Sequence, residues 1–135
     1  MLTENELLAQ TDSDYMNAEQ QAFFKKLLEE KTRRVQQRLV ENQEACRIER
    51  QPDDTDFATT EEQRSMALSM IDRDRVELKR INNALEIIES GDYGFCLETG
   101  DPIGIKRLLL VPESLYSVET MRIREAKDAH QAKVS

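Results

Sequence analysis

With 135 residues, 34% of them charged, 39% hydrophobic and 5% aromatic, the chain has the size of one small domain with an extended arm, too lean for a large buried core. A net charge of −8 opposes autonomous binding to DNA, RNA or an anionic membrane, because counterion release needs clustered Lys and Arg. No run approaches the ~18 consecutive apolar residues of a membrane helix. The stretch Met1 to Glu6 is acidic where a signal peptide is basic, so a cytoplasmic protein is expected. Cys46 and Cys96 supply neither a disulfide framework nor a complete zinc quartet and read as reduced thiols.

Residues 1–16 are polar and are expected either to pack on a small knob formed by residues 91–112 or to stay flexible. Up to about Asp14 they should be loosely held, with Leu7 and Leu8 able to dock. Asn17 and Gln20 have the spacing of a capping box, and neither Gly nor Pro interrupts the chain from there to about Arg50. The predicted helix of ~34 residues spans ~50 Å at about 1.5 Å per residue. Its seam, Leu28, Thr32, Val35, Leu39, Asn42 and Cys46, alternates spacings of four and three, the heptad signature of a coiled coil.

Gln51 to Phe57 ends that helix, because proline disfavours a helical residue before it and the Asp/Thr run offers competing side-chain hydrogen bonds. Thr59 and Glu62 make a second capping box, and a returning helix is predicted to about Ser90. Its seam is Ala67, Ile71, Asp74, Leu78, Ile81, Leu85 and Ile88. Zipping the two seams antiparallel sets Cys46 against Ala67, Val35 against Leu78 and Leu28 against Leu85 in one register, with residues 52–58 at the tip. Asn42 and Asp74 interrupt the seams, either to specify register or as the solvated positions of a thin coil.

Gly91 to Gly94 breaks the returning helix, and residues 91–112 form a small knob. Turns are expected at the glycines and at Asp101-Pro102, with a short strand or hairpin in the apolar run Ile103 to Leu110. A last helix is predicted within 113–135, starting near Glu113 or Ser114 and fraying past His130. The fold class is therefore mainly α: an antiparallel two-helix coiled-coil hairpin over 17–90, a knob and a C-terminal helix.

Three features in this order resemble the DksA family of bacterial transcription factors: Tyr15-Met16-Asn17 before the first helix; Asp53-x-x-Asp56-x-Ala58 at the turn; and Gly91-Asp92-Tyr93-Gly94-Phe95-Cys96 with Ile103-Gly104-Ile105-x-Arg107-Leu108 in the knob. The resemblance covers most of the chain. It implies a non-enzymatic regulator that enters RNA polymerase through the secondary channel, without binding promoter DNA, and alters promoter complexes through the tip residues Asp53, Asp56 and Ala58. It also implies guanosine tetraphosphate, the stringent-response nucleotide, at the junction with polymerase, with Arg80 aligned to a basic contact position. Two further basic positions of the family are Val111 and Met121 here, with Lys106, Arg107 and Arg122 nearby in sequence.

Zinc-containing members of that family have four cysteines, and the matching positions are Cys96, Thr99, Ser117 and Thr120. One thiolate and three hydroxyls are a poor donor set for a structural zinc tetrahedron, so no zinc is expected, as in the zinc-independent branch of the family. Leu108, Leu109, Leu110, Leu115 and Val118 are candidates to support such a knob by packing, and Cys96 is either an inert packed thiol or a redox sensor. Two alternatives share the architecture: a Gre-type transcript-cleavage factor whose acidic tip holds Mg²⁺, and a coiled-coil adaptor that oligomerises through its seam. The returning arm already satisfies the seam, which favours a monomer. No catalytic triad, phosphate-binding loop or dinucleotide fingerprint is present.

Overall fold

The structure, a computed structural model, describes residues 2–47 and 54–134, and for 54–59 and 132–134 the backbone only. It is mainly helical, in the order α1 (Glu4–Ala9), a single 3-10 turn at Asp12–Asp14, α2 (Ala18–Ala45), α3 (Asp54–Ser90), α4 (Ile105–Leu110) and α5 (Val118–Val134). The chain divides into two compact units, one of Glu29–Asn82 and one of Met1–Leu28 with Asn83–Ser135.

The unit Glu29–Asn82 holds the C-terminal part of α2 and most of α3. Its pairing is antiparallel: Lys31 meets Glu77 at 3.4 Å and Arg38, two turns further on, meets Asp74 at 2.7 Å. Val35, Ala67, Ile71, Asp74 and Ile81 are buried, and Thr32, Leu39, Asn42, Cys46 and Leu78 are half-buried, so each expected seam position in this unit faces inward. Asp74 is only 1% exposed and is not a solvated seam residue. Its Oδ1 accepts from Arg38 Nε at 2.9 Å and from Nη2 at 2.7 Å, and Nη2 also donates to Glu77 at 3.0 Å. Asp74 Oδ2 and Asn42 Nδ2 are buried with no hydrogen-bond partner among the described residues.

On the turn side both helices depart from the expected boundaries. α2 closes at Ala45 with a turn at Cys46 and Arg47, and the expected continuation to Arg50 lies outside the described residues. α3 begins at Asp54, so Thr59 and Glu62 are interior helical residues and not a cap. The physical reason is in the sequence: Asp54 and Asp56 fall in the first turn, where carboxylates stabilise the positive end of the helix dipole, and Pro52 lies just upstream.

The other unit gathers α1, the start of α2, the end of α3, α4 and α5. Phe24 and Leu28 on α2 and Ala84 and Ile88 on α3 are buried, Lys25 pairs with Glu89 at 2.9 Å, and the Phe24 ring lies 5.7 Å from that of Tyr93. Asn17 caps α2 by accepting from Gln20 N–H at 2.9 Å, and the buried Gln20 side-chain oxygen Oε1 accepts in turn from Met16 N–H, one residue before the cap, at 2.9 Å. The N-terminal stretch is not loosely held. Thr3 caps α1 by accepting from Glu6 N–H, Thr11 and Asp14 form a capping box around the 3-10 turn, and Leu7 is 1% exposed.

The run 105–110 is a helix and not a strand. A short apolar run does not reveal its period, and here Leu108 is buried while Leu110 is 78% exposed. Among the described residues, extended pairing is confined to a bridge between Phe95 and Pro102, flanked by bonds from Cys96 N–H to Asp101 O and from Ile103 N–H to Gly94 O, both 2.8 Å. α5 starts at Val118, later than expected, because Ser117 is the residue whose Oγ accepts from Thr120 N–H. Leu108 supports the knob, whereas Leu110 and Val118, expected to do the same, are exposed.

Removal of the Arg38 side chain leaves Asp74 buried without its counter-charge. Because Arg38 is itself 45% exposed, Arg38→Ala should cost about 2 kcal/mol, less than the roughly 3–5 for a fully buried pair. Urea unfolding followed by circular dichroism should show that loss and its recovery in the Arg38→Met, Asp74→Leu double variant. An Arg38→Ala protein as stable as wild type would mean that Asp74 finds water instead.

Candidate functional site

Among the residues expected to carry function, Asp53 lies outside the described residues. Asp56 and Ala58 sit in the first turns of α3, where only the backbone is described. Arg80 is exposed on α3 in the unit Glu29–Asn82, and Val111 and Met121 are half-buried in the other unit.

The four knob positions do come together. Cys96 is 2% exposed, and its Sγ donates to Thr120 Oγ1 at 3.4 Å. Thr120 Oγ1 accepts a second bond from Ser117 Oγ at 2.9 Å, and Thr99 Oγ1 accepts from Asp101 N–H at 3.2 Å. Two turns build this cluster. Gly100 N–H bonds to Cys96 O at 2.8 Å and closes the Cys96–Gly100 loop around Thr99, while Ser117 and Thr120 are the cap and third residue of α5. Burial raises the Cys96 thiol pKa, but hydrogen bonds with the Thr120 and Thr99 hydroxyls and with the backbone N–H groups of Ser117 and Thr99 outweigh it. The net effect lowers it from 9.0 to about 6. In the thiolate the Thr120 hydroxyl reverses its role and donates.

Two features of this unit carry no heptad or cap signal. The Tyr15 hydroxyl donates to Gly94 O and accepts from Gly104 N–H at 2.9 Å, with its ring edge-on to Phe95 at 5.5 Å. Beside it, a groove of about 850 Å³ runs between α1 and the Pro102–Arg107 stretch. Only the Tyr15-Met16-Asn17 motif pointed to the first, and nothing local in the sequence pointed to the second. Tyr93 supports the same unit from below: it is buried and donates to Pro112 O at 2.6 Å, and burial raises its pKa well above the ordinary phenol value.

A thiol depressed in the folded state stabilises the fold above its unfolded pKa, and that stability is lost as pH falls through the folded pKa. Folding stability should therefore rise with pH between about 6 and 9 in wild type and stay flat in Cys96→Ser. Thiolate absorbance should titrate with a midpoint near 6 and shift upward in Thr120→Val. A wild-type midpoint above 8 would contradict the hydroxyl cluster.

Residues 20–88 match the model of the DnaK suppressor protein DksA, N-terminal domain. Over 121 residues the chain is 35% identical to the RNA polymerase-binding transcription factor DksA of Caulobacter vibrioides, covering 87% of this chain and 84% of that protein. It is 32% identical over 124 residues to the protein of the same name from Escherichia coli K12, covering 88% and 80%. The solved structure of transcription factor DksA2 from Pseudomonas aeruginosa is 41% identical, covers 95% of this chain and 100% of that one, and superposes with a TM-score of 0.81. With a hairpin, a knob and relatives that agree over nearly their full lengths, the chain belongs to the DksA family.

Proposed function

We propose that this protein is a transcription regulator that binds RNA polymerase through the secondary channel and acts there through the tip of its hairpin, without catalysing a reaction. The observation that carries this reading is the extent of the match: relatives named RNA polymerase-binding transcription factors align with 87% and 88% of the chain, hairpin and knob together. Asp53, Asp56 and Ala58 are the residues that change promoter complexes. Carboxylates at the end of a narrow hairpin reach basic side chains or bound Mg²⁺ where water is excluded and charge-assisted hydrogen bonds are strongest. The same matches favour regulation over cleavage of the transcript.

Three finer points belong to this reading. The protein works without zinc, since one thiol and three hydroxyls, two of them bonded to each other, do not suit a zinc tetrahedron. Guanosine tetraphosphate adds to its effect at the junction with polymerase, with the exposed Arg80 contacting a phosphate, and the response is weakened by Val111 and Met121 at positions that are basic elsewhere in the family. The factor acts as a cytoplasmic monomer and does not bind promoter DNA directly, in keeping with its net charge of −8.

The test is in vitro transcription from one ribosomal-RNA-type promoter and one activated promoter, with and without guanosine tetraphosphate, using factor stripped with a zinc chelator and desalted. Wild type should repress the first and activate the second. Asp56→Asn should bind polymerase within about twofold of wild type yet lose both effects, since the substitution removes charge at constant shape. Full activity of Asp56→Asn, or activity only after zinc is restored, would contradict the tip assignment or the zinc-free reading respectively.

A further inference from the structure

We propose that the groove between α1 and the Pro102–Arg107 stretch is a docking site for a polymerase segment that carries an apolar side chain next to a carboxylate. The inference rests on polymerase being the partner and adds a second contact, separate from the tip. The groove holds about 850 Å³ and is walled by Leu7, Leu8, Tyr15, Phe95 and Ile103. Leu8 is 45% exposed and Phe95 37%, so two large apolar groups of the lining are open to water.

Charge selects the occupant. Lys106 and Arg107 lie on the same lining and have no ion-pair partner among the described residues. The Arg107 Nε is buried with no acceptor. A buried guanidinium N–H without an acceptor is costly. Asp12 on the lining offsets one of the two cations and leaves the wall net positive. A ligand that supplies an aliphatic or aromatic anchor to the apolar wall and an acceptor to Arg107 satisfies both deficits. A polypeptide segment with adjacent apolar and acidic side chains does so, and an anionic lipid surface is opposed by the charge of the whole chain.

The experiment uses full-length protein with Leu8 replaced by the photo-crosslinking amino acid p-benzoylphenylalanine, bound to purified RNA polymerase, with binding measured before irradiation. The expected result is a crosslink to a polymerase peptide bearing Asp or Glu within a few residues of the attachment point. Lys106→Glu, at an exposed position whose folding is checked by circular dichroism, should cut the crosslink yield and the polymerase affinity about tenfold, the scale of a charge-assisted contact. Binding without a crosslink, a crosslink to a segment lacking acidic residues, or displacement of the crosslink by guanosine tetraphosphate would overturn the groove assignment and leave the polymerase reading standing. No binding to polymerase would overturn both.

Discussion

The hydroxyl of Tyr15 sits where three stretches of the chain meet, donating to Gly94 O and accepting from Gly104 N–H. Those partners are 79 and 89 residues away in sequence, so one phenol ties the entry of the first long helix to both sides of the knob's only extended pairing. The neighbouring geometry depends on this closure. Met16 adopts φ 56, and its Cγ would lie 2.5 Å from a Cβ at Gly94, which itself has φ +96, so only glycine fits there. Each hydrogen bond contributes about 1 kcal/mol net, yet leaving its buried partners unmade costs more. In a unit this small, a few such bonds decide whether the knob has one shape.

The knob and the hairpin solve the same problem in different ways. Around Cys96, polar side chains satisfy one another: Ser117 caps α5, bonds to Thr120, and Thr120 meets the thiol. The seam at Asp74 is less complete, with one carboxylate oxygen holding Arg38 twice and the other without a partner. An apolar pair of similar volume would be at least as stable there, so the clamp is better understood as specifying register than as adding stability. Register matters in a hairpin because a slip along the seam changes which residues lie at the turn.

The hairpin was legible because it repeats: a heptad of apolar residues reports its own period, and two seams counted outward from one turn define a register. Helix ends were harder to place. Thr59 and Glu62 have capping spacing but lie inside α3, since acidic residues further upstream already favour an earlier start. The knob was legible only in part. Its four degenerate ligand positions could be located from spacing within a family pattern and do converge, but the helical state of Ile105–Leu110 goes with the burial of Leu108 beneath distant segments, which no local window contains, and the late start of α5 follows from a Ser117 cap that the expected start at Glu113 or Ser114 passed over. The groove beside Tyr15 is a property of packing between distant segments, and sequence has no local code for it.

The central claim, that side-chain hydrogen bonds centred on Tyr15 hold the knob, is tested most directly by amide hydrogen exchange in wild type and Tyr15→Phe. The Cys96, Ile103 and Gly104 amides should exchange about tenfold faster in the variant, corresponding to the loss of one to two hydrogen bonds, while Ile81 in the hairpin is unchanged. Equal protection of the knob amides in both proteins would contradict it.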